Sequence, residues 1–430
     1  MKVWKQLFLI KRKELGGRML AKHYQGKKLN DEVFATAQRA KAAIDKYGKE
    51  AVFNATLGSL YDEEENLVVF DVVRQMFREL PLTEFTAYAP HFTGSAGYKE
   101  SVKRSVLGEH YEKEYPNYYF SVIGTPGGTG ALSNTIKNYL NYGDKVLLPK
   151  RMWGPYKAMA KEAGGSFDCY ELFDEEGKFH LASFEEKVNL LSEQQENLIV
   201  IINDPCQNPT GFKLSREEWL SVMKILKKAS NKANIILLKD IAYQDFDTLE
   251  YREENILSDL PGNILVVYAF SLSKALGIYG MRAGAQLAVS SKKEWMEEFD
   301  TSATFSCRAT WSNASRGGME MFVKIMETPH LKRKLLEEQQ KYRDLLLERA
   351  DIFLREAEEC GLEVLPYKSG FFLSVPIGEK VRELITELEK QNIFTIIFDD
   401  AIRIAICGLP KRKLKGLAKK IKDTIENIRG

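Results

Sequence analysis

An α/β fold with a mainly parallel sheet, joined by a smaller α+β domain, is what this sequence predicts, on three observations. From Tyr118 onward, short aliphatic and β-branched runs alternate with amphipathic stretches, the rhythm of strands covered by helices on both faces. Residues Leu331 to Glu359 contain neither proline nor glycine and carry leucines among many charges, the pattern of one long amphipathic helix. After Gly361 the rhythm changes to short strands and helices, which suggests the second domain.

The elements follow in order. Between Asp31 and Lys49, Val33, Phe34, Ala37, Ala40, Ala43 and Ile44 recur at helical spacing among charges and end near Gly48, so a helix is expected. Strands are expected at Tyr119 to Ile123, Lys145 to Leu148, Ser166 to Leu172, Leu198 to Asn203, Ile235 to Lys239, Ile264 to Phe270 and Ala283 to Val289. Helices fit between them, as at Thr129 to Tyr142 and Arg216 to Lys228. Beyond the long helix, strands are expected at Glu363 to Leu365, Phe371 to Val375 and Ile402 to Ile406, with a helix from Glu379 and a last basic helix. The expected division is an N-terminal arm and part of the small domain over 1–60, a large domain over 61–330, and the C-terminal small domain over 331–430.

Composition narrows the function classes. In 430 residues, 62 lysines and arginines nearly cancel 60 aspartates and glutamates, so no whole-protein field favours nucleic acid or an anionic membrane. No apolar run approaches the roughly 18 residues of a membrane span. The basic start Met1-Lys2-Val3-Trp4-Lys5 precedes too short an apolar patch for a secretory signal, and Met19 is an equally sensible start. Cys169, Cys206, Cys307, Cys360 and Cys407 are scattered and form no CxxC pair, which argues for reduced thiols in a cytoplasmic protein and against a metal site.

Several residues carry chemistry. Lys274 follows the apolar run Ile264-Leu265-Val266-Val267-Tyr268-Ala269-Phe270 in Ser271-Leu272-Ser273-Lys274. A lysine at the end of a buried strand loses hydration and basicity, which suits covalent chemistry with a carbonyl cofactor. Thr125-Pro126-Gly127-Gly128-Thr129-Gly130 lies between a strand and a helix, where close backbone approach and free amides favour an anion; the same pattern also makes a plain tight turn. Asp240 ends an apolar strand, where a carboxylate is costly unless paired. Arg403 sits in Ala401-Ile402-Arg403-Ile404-Ala405-Ile406, and its planar fork matches a carboxylate, whether from a substrate or from a structural ion pair.

The order of Asp204-Pro205-Cys206-Gln207-Asn208-Pro209-Thr210-Gly211, Lys239-Asp240-Ile241-Ala242-Tyr243, Ser271-Leu272-Ser273-Lys274, Arg282 and Arg403 closely resembles the pyridoxal-phosphate aminotransferases of the aspartate and aromatic amino-acid group, from about Tyr88 to Arg403. The resemblance implies a homodimer of fold type I with shared active sites, acting on amino acids and 2-oxo acids. It implies that Lys274 bears pyridoxal 5'-phosphate and moves the substrate's proton, that Asp240 meets the ring nitrogen, and that Tyr243 and Asn208 hold the phenolic oxygen. Gly127, Gly128 and Thr129 would hold the phosphate with Ser271 and Arg282, and Tyr88 would reach it in the neighbouring subunit. Trp153 would pack on the ring, Arg403 would bind the substrate's α-carboxylate, and Arg308 would bind a distal carboxylate across the dimer. Two histidines that back the aspartate in the best-known aspartate enzymes are replaced by Tyr156 and Gln207, and Leu57-Gly58-Ser59 matches poorly, which puts strict aspartate specificity in doubt.

Two other classes stay in view. A lyase or decarboxylase keeps the cofactor and lets the same carbanion collapse to other products. A ligand-sensing module would need a fused DNA-binding domain, for which the residues before the first helix leave no room. A nicotinamide dehydrogenase lacks its glycine fingerprint here.

Overall fold

The computed structural model describes residues 19–21, 24–28, 32–248 and 256–429; the expected arm over 1–18 lies outside them. Two units are present, 1–31 and 32–430, and the second carries all the strands described.

Seven strands form the main sheet: β2 (Tyr119–Thr125), β3 (Lys145–Pro149), β4 (Ser166–Tyr170), β5 (Asn197–Asn203), β6 (Asn234–Asp240), β7 (Ile264–Ser271) and β8 (Gly284–Ser290), preceded in the chain by the two-residue β1 (Phe53–Asn54). Their spatial order is β2-β8-β7-β6-β5-β3-β4, with β8 antiparallel to both neighbours and the other pairings parallel. β7 is buried along its whole length and β5 and β6 nearly so, because helices cover both faces and no position is left for a polar side to face water. The sequence placed these strands to within one or two residues of the observed ends. The helix expected from Thr129 begins at Gly127 and stops at Tyr139, and packs across β7 and β8.

The long amphipathic stretch is a single helix, Pro329–Cys360, with proline in its first turn and Gly361 in a left-handed conformation after its last residue. A three-stranded antiparallel sheet follows, β11-β12-β9, from β9 (Phe372–Pro376), β11 (Ile396–Phe398) and β12 (Ala401–Ala405). β1 pairs in parallel with β10 (Ile393–Phe394), so residues near position 53 meet the C-terminal part of the chain. One expectation fails: Glu363 to Leu365 is irregular, not a strand. Leu365 donates one backbone bond to Ser374 at 2.8 Å, but Pro366 has no N–H with which to continue a ladder.

The topology gathers the candidate residues. β2, β5, β6 and β7 run the same way, and their carboxyl ends deliver Gly127, Asn208, Asp240 and Lys274 to one edge of the sheet. β8 runs oppositely, so Arg282, two residues before its start, arrives at that edge as well. Carboxyl edges of such sheets are where ligands bind in open α/β folds.

Candidate active site

Lys274 stands in the one-turn helix Leu272–Ala275 that follows β7 directly. Its Nζ donates to the carbonyl of Gly58 and lies 4.6 Å from the Tyr279 ring centroid and 5.4 Å from that of Tyr243. Enclosure draws its pKa from the ordinary 10.5 down to about 8; the charges of Arg403 and Arg282 act the same way, and Cys407 and Asp240 oppose them. Burial therefore produces an amine that is partly neutral near physiological pH.

Asp240, the last residue of β6, is buried. Its Oδ2 accepts a 2.6 Å hydrogen bond from Tyr156 Oη, and its Oδ1 accepts one of 3.1 Å from the Ala242 amide. Desolvation raises its pKa, and those two donors and Lys274 only partly offset the rise. Neither hydrogen-bond donor is a cation, so the carboxylate's electrostatic cost is met incompletely within the chain. Gln207 does not share this work: its Nε2 donates 2.8 Å to the Arg151 carbonyl and its Oε1 accepts from Thr210.

The glycine turn is a cradle. Gly127 has φ +71°, and a Cβ there would fall 2.7 Å from Arg282 Nη2. At Gly128 an added Cβ would meet Ser271 Cβ at 3.3 Å. Both glycines open the helix Gly127–Tyr139, whose first amides point out of its start, while Thr129 is exposed beside them. Arg282 is itself left-handed, with φ 52°, and donates to Ser273 Oγ at 3.0 Å and to the carbonyls of Tyr279 and Pro126 at 3.2 and 3.4 Å.

Asn208, Tyr243 and Arg403 form a chain of contacts. Asn208 Nδ2 donates to Tyr243 Oη at 3.4 Å, and Arg403 Nη1 donates to Asn208 Oδ1 at 3.1 Å. Arg403 Nη2 reaches the Thr56 carbonyl at 2.8 Å, and the guanidinium lies 4.2 Å from the Phe372 ring centroid and 5.1 Å from that of Phe398. No carboxylate meets it among these contacts, its buried Nε has no partner, and burial lowers its pKa to about 10. An unpaired buried guanidinium is expensive, and an incoming carboxylate removes that expense.

Trp153 sits on the approach to the helix Pro155–Glu162, its ring edge-on to Tyr156 at 5.4 Å. Tyr88 and Arg308 stand apart from the cluster within this chain. Tyr88 is 85% exposed, and Arg308 is exposed and bonded to Ser312 Oγ at 2.8 Å. Sequence reasoning did not find Tyr279, Phe372 or Phe398, which the fold places around Lys274 and Arg403, while Gly58 lies in the segment Leu57-Gly58-Ser59 that it singled out as matching poorly. Tyr279 had the best available signal, an aromatic between Lys274 and Arg282. Among the described residues no group of His, Cys, Asp and Glu is arranged to hold a metal ion, and no helix is long and apolar enough to cross a membrane.

A single molecule with a phosphate, a basic ring nitrogen and a carbonyl would satisfy the cradle, Asp240 and Lys274 together, and pyridoxal phosphate has all three. The fold likewise is that of the fold type I enzymes that use this cofactor. Residues 59–421 match the family model described as Aminotransferase class I and II. Mitochondrial aspartate aminotransferase of Gallus gallus is 25% identical over 290 residues, 66% of this chain and 67% of that protein. Cytoplasmic aspartate aminotransferase of Caenorhabditis elegans is 23% identical over 391 residues, 87% and 92% of the two chains. Among solved structures, an aminotransferase from Anaerococcus prevotii DSM 20548 superposes with TM-score 0.90 at 34% identity, over 95% of this chain and 99% of that one. An aromatic-amino-acid aminotransferase from Burkholderia pseudomallei, covalently bound to pyridoxal phosphate, shares the fold at TM-score 0.77 and 20% identity, over 94% and 99%. The chain belongs to the class I and II aminotransferase family, and it is a pyridoxal-phosphate-dependent transaminase.

Proposed function

We propose that this transaminase moves an amino group between aspartate or an aromatic amino acid, tyrosine or phenylalanine, and a 2-oxo acid, with 2-oxoglutarate as acceptor. The observation that carries the reading is Arg403, a buried guanidinium whose partners are one amide oxygen and one backbone carbonyl, with Nε left over. A substrate α-carboxylate completes it bidentately. Aspartate and aromatic donors are favoured because relatives bear both names.

In this reading each group of the chain has one task. Lys274 would hold the cofactor and would serve as the base that removes the substrate's α-proton and as the acid that gives it back, and a pKa of about 8 suits both directions. Asp240 holds the ring nitrogen protonated, Tyr243 and Asn208 hold the phenolic oxygen, and Trp153 covers the ring face. Gly127, Gly128, Thr129, Ser271 and Arg282 hold the phosphate. When bound, the cofactor supplies the electron sink that makes the α-hydrogen acidic.

The chain divides, in the same reading, into a large domain over 61–330 and a small domain over 331–430, joined by part of 1–60. Arg403 belongs to the small domain, so carboxylate binding draws it over the cofactor. The active form is a cytoplasmic homodimer in which Tyr88 reaches the neighbour's phosphate and Arg308 the neighbour's substrate. The 85% exposure of Tyr88 and the 75% exposure of Phe305, near Arg308 on the same helix, support a covered face there. A panel of amino donors and 2-oxo acids, read by product formation, tests the proposal. New glutamate from 2-oxoglutarate with aspartate or tyrosine is expected; carbon dioxide release or elimination in its place would establish a lyase.

A further inference from the structure

We infer that Tyr156 is a positioning residue that acts through Asp240, its phenol holding the carboxylate in the charged form that keeps the cofactor's ring nitrogen protonated; this rests on the reading that Asp240 meets that nitrogen. The argument begins with a choice between two states. A buried carboxylate facing a pyridine nitrogen can leave the proton on the ring as an ion pair, or take it up and become a carboxylic acid beside a neutral ring. Burial favours the neutral arrangement, since it removes two charges from a poorly solvating place.

What opposes it is the number of donors on the carboxylate. The Asp240 carboxylate has two from the chain, the Ala242 amide at 3.1 Å and the Tyr156 phenol at 2.6 Å, and the phenol makes the shorter bond. Each such donor lowers the carboxylate's proton affinity and leaves the proton on the ring. Gln207, the other residue standing where a supporting group was expected, turns to Arg151 and Thr210 and gives Asp240 nothing. Among the described residues Tyr156 is therefore the side chain that donates to the Asp240 carboxylate, Asn203 reaching only the Asp240 backbone carbonyl.

Two features fit a phenol to the task. Tyr156 is buried, and its own pKa is pushed well above the ordinary tyrosine value by desolvation and by the Asp240 charge, so it stays a neutral donor while Lys274 titrates. Its ring packs edge-on to Trp153 at 5.4 Å and an 84° interplanar angle, a contact that helps hold the phenol in place. A residue that only filled space would not need its oxygen.

The test loads apoprotein with pyridoxal phosphate labelled with ¹⁵N at the ring and records the nitrogen shift, alongside cofactor affinity and turnover. Tyr156→Phe should move the shift toward the unprotonated ring, weaken cofactor binding about tenfold and lower kcat about 10- to 100-fold with little change in KM, the scale of one charge-assisted hydrogen bond. In an Asp240→Ala background the same substitution should change the shift hardly at all. If Tyr156→Phe folds poorly, by melting of the apoprotein, 3-fluorotyrosine at position 156 keeps the shape, donates more strongly and should move the shift the opposite way. An unchanged shift in Tyr156→Phe while Asp240→Ala moves it overturns the role of Tyr156 alone. An unchanged shift in Asp240→Ala itself overturns the underlying reading of Asp240.

Discussion

Removing the charge of Lys274 should make the cofactor-free protein more stable, and by an amount that depends on pH. In Lys274→Met the side chain keeps its length and loses the amine. The folded amine titrates near 8 against 10.5 ordinarily, and that difference corresponds to about 3 kcal/mol. The sign follows from linkage: below pH 8 both folded and unfolded lysine are charged, and the fold bears the whole cost of burying that charge. Between pH 8 and 10.5 the folded amine is neutral while the unfolded chain still binds the proton, so the cost fades and is gone above 10.5. Against this gain stands the lost bond from Nζ to the Gly58 carbonyl, a net contribution of about 1 kcal/mol. The variant should thus be about 2 kcal/mol more stable than the parent below pH 8, and about 1 kcal/mol less stable above pH 10.5. Urea unfolding of both apoproteins across pH 6 to 11 measures this, and the span of about 3 kcal/mol is the quantity to trust, since the Gly58 contribution cancels from it. A difference that does not vary with pH, or a variant less stable at pH 7, would refute the claim that burial sets the basicity of this lysine.

Other outcomes follow from the same groups. Asp240→Ala should fold and yet lose several powers of ten in kcat, measured at saturating cofactor and substrate; near-parental turnover would remove Asp240 from the chemistry. Borohydride reduction followed by peptide mass mapping should place the cofactor adduct on Lys274, and an adduct on Lys239 or elsewhere would reassign the attachment. Arg403→Ala should lower kcat/KM for every amino donor by about 2–5 kcal/mol of transition-state binding, the range for stranding one member of a charge pair, with aspartate and tyrosine affected alike. Arg308→Ala should instead cost aspartate and 2-oxoglutarate far more than tyrosine, and mixing it with Lys274→Ala subunits should restore dicarboxylate turnover; equal losses or no recovery after confirmed exchange would leave Arg308 a structural residue.

What the sequence disclosed and what it withheld have a common cause in range. Lys274, Asp240 and Arg403 were legible because each is an ionisable residue set in or directly after an apolar strand, a conflict visible within about ten residues. The strands themselves were legible because burial on both faces writes continuous apolar runs. β10 and β11, two and three residues long, are too short to show any period, and Glu363 to Leu365 looked like a strand until Pro366 ended its one ladder bond. Tyr156 meets Asp240 from 84 residues away, and no local pattern announces a contact of that span; only the family resemblance, which set Tyr156 where a histidine backs the aspartate, pointed to it. Tyr88 and Arg308 are harder still, since the partners proposed for them lie on another subunit.

The three ionisable groups also describe their ligand by what they lack. Arg403 is a cation without a carboxylate, Asp240 an anion without a bonded cation, and Lys274 an amine held where its proton is costly. Each alone would be selected against on stability, because replacement by an apolar residue of like volume is often neutral or stabilising for a buried charge. Their signs do not cancel within the cluster, because the nearest ionisable neighbours of Lys274 include two arginines that disfavour its charge. Relief of all three would take an anionic group at Arg403, a protonated ring nitrogen at Asp240 and a carbonyl carbon at Lys274, and pyridoxal phosphate together with an amino-acid carboxylate would supply them. The same cost explains why burial is the leading influence on all three pKa values: a site open to water would relax those charges and lose the differences in proton affinity that the reaction uses.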